Sequence, residues 1–133
     1  MPKKYFTVET AQKQLPKIRK LLTKLKNLKK AIDAIISIRA DPNEIGFEEF
    51  LELNTKLNKE YHNLLYKFYK ELEKLEKEGC VLKDLEQGLV DFYCRFEGRD
   101  IFLCWRMEEE KIRAWHELDS GFAGRNPIIG LEE

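Results

Sequence analysis

The sequence predicts an α+β protein: a long antiparallel helical hairpin over residues 7–78, then a small antiparallel β-sheet of two to three strands and a C-terminal loop over residues 79–133. Two observations predict this order. Apolar residues recur at helical spacing up to Gly79, whereas from Gly88 onwards they alternate with polar residues, as in a half-buried strand. A length of 133 residues fits a single domain.

The first helix is predicted from its cap and its apolar seam. Thr7 is a suitable N-cap, and Pro16 fits either the end of a short opening helix near Leu15 or the first turn of the next helix. Residues 17–40 then carry heptad-spaced apolar side chains, typical of a coiled coil. The seam consists of Ile18, Leu25 and Ile32 in one row and Leu21, Leu28 and Ile35 in the other, widened by Leu22 and Ile36.

A second helix is predicted over residues 47–78, after a turn cluster at residues 41–46. Gly79 stands where a left-handed residue ends many helices. Two helices side by side leave much of their apolar surface in water, which a small sheet can cover at one end only. We therefore predict a homodimer through the helices, with four helices around a two-fold axis.

The predicted strands form a hairpin with a turn at either Glu97-Gly98 or Gly98-Arg99. Both turns give the same two faces. The face predicted to pack on the helices holds Val90, Phe92, Cys94, Phe96, Ile101, Leu103 and Trp105, and the other holds Asp91, Tyr93, Arg95, Phe102, Cys104 and Arg106. Residues 111–117 are a predicted third strand, and residues 118–133 a loop.

Charge is unevenly distributed although its formal net value is zero. Residues 1–40 hold eleven Lys and Arg but only two acids, out of 24 of each kind in the chain. Lys13, Lys17, Lys20 and Lys24 share one stripe of the first helix, which is typical of phosphate contact and makes nucleic acid one candidate partner. The alternative is a solvated face beside an acidic second helix.

Three cysteines without paired spacing indicate reduced thiols rather than a disulfide framework, and so a cytoplasmic protein. No apolar run follows Met1, so no signal peptide is predicted, and no stretch reaches the roughly 18 apolar residues of a membrane span. The sequence leaves open whether the protein is an enzyme and whether it holds a cofactor.

Asp91, Cys104 and His116 form the first candidate site. Asp91 faces Cys104 in one hairpin register and Arg106 in the other, and His116 follows on the next strand. Such a trio is suited to hold zinc or to activate a thiolate. The alternative is structural: a half-buried cysteine, an aspartate paired with an arginine and a histidine packed against Trp115.

A second candidate is the segment of residues 121–125, Gly-Phe-Ala-Gly-Arg. Its two glycines free the backbone to approach an anion that Arg125 would clamp, although no phosphate-loop signature is present. The alternative is an ordered loop in which Arg125 pairs with an acidic residue.

Several motifs resemble those of a known family. They are Tyr5-Phe-Thr-Val-Glu-Thr-Ala11, Leu15-Pro16, residues 79–92, Leu103-Cys-Trp-Arg106, Trp115-His116 and Gly121-Phe-Ala-Gly-Arg125. Together they span nearly the whole chain and resemble domain-of-unknown-function family 2203 of bacteria and archaea. The family pattern has a proline where this chain has Tyr93, and Gly-Glu where it has Met107-Glu108.

The resemblance implies a fold and the location of a site but no activity. The motif positions that it selects are Asp91, Cys104, Arg106, Glu108, Trp115, His116 and Arg125. The leading interpretation is a dimeric module that binds a protein or a small anionic ligand through this C-terminal surface. The alternatives are a metal-binding or thiol-dependent enzyme centred on Asp91, Cys104 and His116, and nucleic-acid binding through the basic first helix.

Overall fold

The computed structural model describes residues 3–129 and has the predicted α+β order. The helices are α1 (Val8–Ser37), the four-residue α2 (Pro42–Ile45) and α3 (Phe47–Lys77). α1 packs against α3, which confirms the helical hairpin. Within the described part of the chain, no helix is long and apolar enough to cross a membrane.

α1 is one continuous helix, which corrects both predictions made for Pro16. That proline lies inside α1, between Val8 and Ser37. Proline lacks the N–H that would bond to the carbonyl of residue 12, but a long helix packed on a sheet tolerates the loss of one bond. The predicted cap is confirmed, because the Thr7 hydroxyl accepts from the Thr10 N–H and the Thr10 hydroxyl accepts from the Thr7 N–H.

α3 begins at Phe47 as predicted and ends at Lys77, one residue before the predicted end. Gly79 follows with φ 91°, in the left-handed region expected of a residue after a helix C-terminus. Its missing side chain also matters, since a Cβ here would lie 2.7 Å from Cδ of Lys4. Gly79 therefore allows the N-terminal segment to pass close to the end of α3.

Five antiparallel strands follow in the order β1-β2-β3-β4-β5, rather than the predicted two to three. They are β1 (Val81–Asp84), β2 (Leu89–Phe96), β3 (Arg99–Arg106), β4 (Ala114–Glu117) and β5 (Asn126–Pro127). β1 and β5 are too short to show an alternating pattern. β5 and a short 3-10 helix (Phe122–Gly124) lie within the predicted loop, and residues 130–133 of that loop lie outside the described residues.

The β2–β3 register confirms the first of the two turn alternatives. Phe96 pairs with Arg99, so the connection is Glu97-Gly98, and Asp91 pairs with Cys104. Glu97 and Gly98 have φ values of 51° and 75°. Two successive residues with positive φ are the signature of the tight turn that suits twisted antiparallel strands.

The inner face of the sheet packs on α1, as the alternation predicts. Trp105, Phe92 and Val90 are completely buried there. The helical side of this core comes mainly from α1, through Ala11, Leu15, Ile18, Leu21, Leu22 and Leu25. From α3, Leu75 is the fully buried member, with Phe68 and Leu72 partly buried. The sheet is therefore held mainly by the first half of α1.

The far half of the hairpin is packed much less tightly. We call residues 26–63 the arm. Among the described residues, α1 has one buried side chain beyond Leu25, at Ile32, and α3 has none before Leu64. α2, at the tip of the arm, buries no side chain either. The arm is thus a two-helix projection with almost no interior of its own.

Candidate functional site

Three neighbouring strands bring Asp91, Cys104 and His116 to one face of the sheet. Asp91 on β2 lies opposite Cys104 on β3. On β4, Ala114 pairs with Cys104 and His116 pairs with Phe102. Because side chains two residues apart point to the same face of a strand, His116 lies diagonal to Cys104 on the outer face.

The three ligand-type side chains converge. One ligand atom from each of Asp91, Cys104 and His116 lies within 4.8 Å of the other two. The side chains are buried, with exposed fractions of 1%, 0% and 2% respectively. The structural alternative predicted a half-buried cysteine, whereas Cys104 is completely buried.

Aromatic side chains next to the trio account for this burial. The Tyr93 and Phe102 rings lie 4.7 Å apart, and Phe102 lies 5.5 Å from the imidazole of His116. Lys83 stands over the Phe102 ring at 4.6 Å. An outer layer of aromatic and long side chains therefore covers the strands, and this layer shields the trio from water.

Hydrogen bonds fix the imidazole of His116. Its Nδ1 lies 2.8 Å from the Glu117 carbonyl oxygen, and its Nε2 lies 3.0 Å from Oδ2 of Asp91. A carbonyl oxygen only accepts, so Nδ1 carries a hydrogen and donates it. A single proton then lies between Nε2 and the Asp91 carboxyl, and the two groups share it.

Burial also changes the acidity of Asp91 and Cys104. It raises the pKa of the Asp91 carboxyl, against a lowering by His116. Burial and then the negative charge of Asp91 raise the pKa of the Cys104 thiol to about 12. Both nitrogens of His116 are already engaged, so neither accepts the thiol proton. With so high a pKa, the Cys104 thiol is protonated at neutral pH, which is its less nucleophilic form.

Asp91 has one unsatisfied atom. Its Oδ1 is buried and makes no hydrogen bond of ordinary geometry within residues 3–129, although the Cys104 thiol lies close enough to lower the pKa of this carboxyl. A buried oxygen without a partner costs about 1–3 kcal/mol. In a native structure such an atom calls for a reason, and an ion or ligand that belongs at the site is one.

The arginines of the predicted site lie next to the trio, each paired with a glutamate. Arg125 Nη2 donates to Glu109 Oε1 at 2.8 Å and to the Cys104 carbonyl at 3.3 Å. Arg106 pairs with Glu108 at 2.8 Å. The Phe122 ring is stacked by both guanidinium groups, at 4.7 Å for Arg125 and 5.3 Å for Arg106.

Glu109 is the residue that the sequence analysis missed. It accepts from Arg125 and from the Arg106 N–H, and its own carbonyl accepts from the indole N–H of Trp105. The available signal was a run of three glutamates at residues 108–110, of which Glu108 was selected. Nothing in that run distinguishes the inward-facing glutamate from its neighbours.

Trp115 lies on the opposite face from His116. Its ring packs 6.0 Å from Phe96, against the core. The predicted site residues thus divide into three groups: the trio, the arginines and Glu108 beside it, and Trp115 behind the sheet.

The two other candidate surfaces of the sequence stay predictions. In the segment of residues 121–125, Gly121 has φ 64°, and the guanidinium that would clamp an anion is held by Glu109. On the basic stripe, Lys13 pairs with Glu9 and Lys17 with Glu78, so part of its charge is already balanced.

The site thus belongs to an α+β protein with a buried Asp-Cys-His group on the outer face of a five-stranded sheet. A family model described as "Uncharacterized conserved protein (DUF2203)" matches residues 4–128 of the 133-residue chain. The chain belongs to this family, as its motifs indicate. No curated protein and no solved structure matches the chain.

Proposed function

We propose that the protein binds a divalent transition-metal ion through Asp91, Cys104 and His116. The observation that carries the proposal is the convergence of a carboxylate, a thiol and an imidazole within 4.8 Å. The buried and unpartnered Oδ1 of Asp91 supports it, because a metal ion would supply the missing partner.

The spacing of the three groups suits a tetrahedral ion. Zinc binds nitrogen and oxygen at about 2.0–2.2 Å and sulfur at about 2.3 Å, which places its ligand atoms roughly 3.3–3.8 Å apart. The 3.0 Å between His116 Nε2 and Asp91 Oδ2 needs to widen by only a few tenths of an ångström. The ligand atoms lie up to 4.8 Å apart, so the widest pair has to close by about 1 Å when the ion binds.

The contact of Nδ1 with the Glu117 carbonyl also supports metal binding. Metal-bound histidines usually donate their second ring N–H to a carbonyl or carboxylate, which fixes the tautomer and orients the ring. In this protein that bond leaves Nε2 directed at Asp91, so Nε2 is the nitrogen we assign as the ligand.

The charge balance favours a divalent ion. A thiolate from Cys104 and a carboxylate from Asp91 together carry two negative charges, which one divalent cation neutralises. A neutral site is the least costly one to bury. Zinc and other borderline metals suit this mixture of sulfur, nitrogen and oxygen ligands. Three protein ligands leave a fourth position for water or a small ligand.

The experiment is titration of the chelator-treated protein with Zn²⁺, followed by calorimetry, and with Co²⁺, followed by its thiolate absorption. We expect one ion per chain, and we expect Cys104→Ser to abolish the Co²⁺–thiolate band and His116→Gln to weaken binding. Matched controls are Cys94→Ser, since Cys94 lies on the inner face, and His62→Ala, since His62 is exposed on α3.

Affinity should rise with pH. Binding must displace the Cys104 thiol proton, whose pKa is about 12, and the proton shared by Asp91 and His116. Each displaced proton gives roughly a tenfold gain in affinity per pH unit. The proposal is wrong if the chain binds no ion at any pH up to 9, or if binding is unchanged in both Cys104→Ser and His116→Gln. In either case the trio is a polar network that needs no metal.

A further inference from the structure

The first helix carries positive charge that the helix packed against it does not balance. Residues 10–32 contain eight Lys and Arg and no acid. Over its full length, α1 has these eight bases and two acids, a net charge of +6. α3 has seven glutamates and six lysines, a net charge of −1. The second helix is therefore not acidic enough to neutralise the first.

Four lysines of α1 have no acidic partner within residues 3–129, because the other three take Glu9, Glu78 and Asp33. The four are Lys20, Lys24, Lys26 and Lys30. Three of them are exposed and Lys26 is half-buried. Exposed charge without an intramolecular partner is available to an external anion.

Two grooves on one side of α1 are lined mainly by bases. The charged residues of the first groove, whose volume is about 530 Å³, are Arg19, Lys20, Lys111 and Glu110. Those of the second, of about 330 Å³, are Lys26, Lys29, Lys30, Asp33 and Glu86. Arg19 and Lys30 are eleven residues apart, close to three helical turns, so they lie on the same side of α1 about 16 Å apart. We call Arg19, Lys20, Lys26 and Lys30 the basic surface.

We propose that the basic surface binds the phosphate backbone of duplex DNA. Duplex DNA carries one negative charge per about 1.7 Å of its axis, divided between two strands. The distance of about 16 Å between Arg19 and Lys30 therefore spans about five phosphates of one strand. Contacts with phosphates position a protein on the duplex without reading its base sequence.

The composition of α1 favours a duplex over other anionic partners. Single-stranded nucleic acid is usually bound by stacking its bases on aromatic side chains, and α1 contains no aromatic residue. The exposed uncharged residues near the bases, Pro16, Thr23 and Asn27, offer no large apolar side chain to a lipid bilayer. Duplex RNA is recognised partly through its 2′-hydroxyls. The Thr23 hydroxyl, which could contact them, already donates to the Arg19 carbonyl at 2.9 Å.

The basic surface is separate from the proposed metal site. α1 packs on the inner face of the sheet, whereas Asp91, Cys104 and His116 lie on its outer face. DNA binding therefore does not depend on a bound ion, and each proposal can fail without the other.

The first test is fluorescence anisotropy of a labelled duplex of about 20 base pairs, titrated with the metal-free protein at several salt concentrations. We expect the logarithm of the binding constant to fall with the logarithm of salt concentration at a slope of about −4, which corresponds to between four and five phosphate contacts. Single-stranded DNA and duplex RNA should bind more weakly. No binding at low salt, a slope near zero, or tighter binding of either other nucleic acid would overturn the proposal.

The second test removes charge from the basic surface by three substitutions in one variant: Lys20→Gln, Lys26→Gln and Lys30→Gln. Each lost phosphate contact reduces the salt slope by about one, so the slope should become shallower by about three. None of the three side chains is fully buried, so the variant should fold, which circular dichroism checks. Unchanged binding would place the contact elsewhere and overturn the proposal.

The matched control removes the same charge from exposed positions of α3: Lys56→Gln, Lys59→Gln and Lys70→Gln. This variant should bind DNA as the parent does. An equal loss in both variants would show that net charge alone drives binding, which contradicts a defined surface. Displacement of the duplex by polyglutamate at equal charge would assign the basic surface to an acidic protein instead.

Discussion

The two ends of this molecule are stabilised in opposite ways. At the sheet, both faces are buried, and even Asp91 and His116 are almost fully removed from water. In the arm, two long helices share one buried side chain among the described residues, and the Phe47 side chain faces solvent. Regular secondary structure therefore does not by itself indicate where the stability of this molecule lies. The sheet is stabilised by a buried core on its inner face and a covered outer face, whereas the arm buries little apolar surface of its own.

The two ends of the molecule should differ most strongly in the reactivity of a cysteine thiol. Cys104 has a pKa of about 12, so at pH 8 its thiolate fraction is lower than that of an ordinary thiol by roughly a thousand-fold or more. A cysteine placed at the exposed Lys56 should be alkylated faster by at least that factor. The measurement is iodoacetamide labelling of metal-free Lys56→Cys, followed by peptide mass spectrometry. Equal rates would mean that the trio is open to solvent.

Truncation of a large side chain should show the same contrast in stability. Trp105 is fully buried, stacks under Arg19 and donates to the Glu109 carbonyl. We expect Trp105→Ala to lower the free energy of unfolding by about 3–5 kcal/mol. Lys56→Ala in the arm should stay within about 0.5 kcal/mol. Denaturation at one fixed protein concentration compares them, and similar losses would refute the contrast.

The trio allows a finer comparison within the sheet. Asp91→Ala leaves Nε2 of His116 buried without a partner, and we expect a loss of about 1–3 kcal/mol in metal-free protein. Asp91→Asn should lose less, since its amide can donate to Nε2. Chemical denaturation of both variants measures the difference. If Asp91→Ala and Asp91→Asn have the same free energy of unfolding, water must enter the site and hydrogen-bond to the imidazole of His116.

The smallest difference in stability is expected at the N-terminal caps of α1 and α3. Thr7 caps α1 with its hydroxyl, whereas the N-cap residue of α3 is Gly46, which has no side chain to form such a bond. Thr7→Ala should lower the free energy of unfolding by about 1 kcal/mol. Thr7→Ser keeps the hydroxyl and should retain most of the stability. A neutral Thr7→Ala would show that contacts with the sheet, not the cap, fix the start of α1.

Much of this architecture follows from periodicity in the sequence. The apolar spacing of α1 and α3 and the alternation along β2 and β3 predict the hairpin, the inner face and two alternative registers. The Asp91–Cys104 pairing is one of those alternatives. These features depend on local pattern, which a single chain displays directly.

Other features depend on contacts between segments distant in the sequence. The sequence does not reveal that Phe102 and Tyr93 bury the outer face, or that Glu109 rather than Glu108 turns inward. Local preference predicts Pro16 near a helix end, yet α1 continues through it and packs on the sheet. Tertiary contact outweighs local preference in each case.

The two borders of the sheet limit how this chain can aggregate. β5 ends at Pro127, which offers no N–H for a further strand, and the β1–β2 pairing is irregular between Leu82 and Asp84. β2 extends past the end of β1, and on this exposed part of β2 the Tyr93 carbonyl already accepts a hydrogen bond from the Phe6 N–H. Neither border is a long, regular template for another chain. Even at high concentration, then, fibril-like strand addition at the sheet is disfavoured.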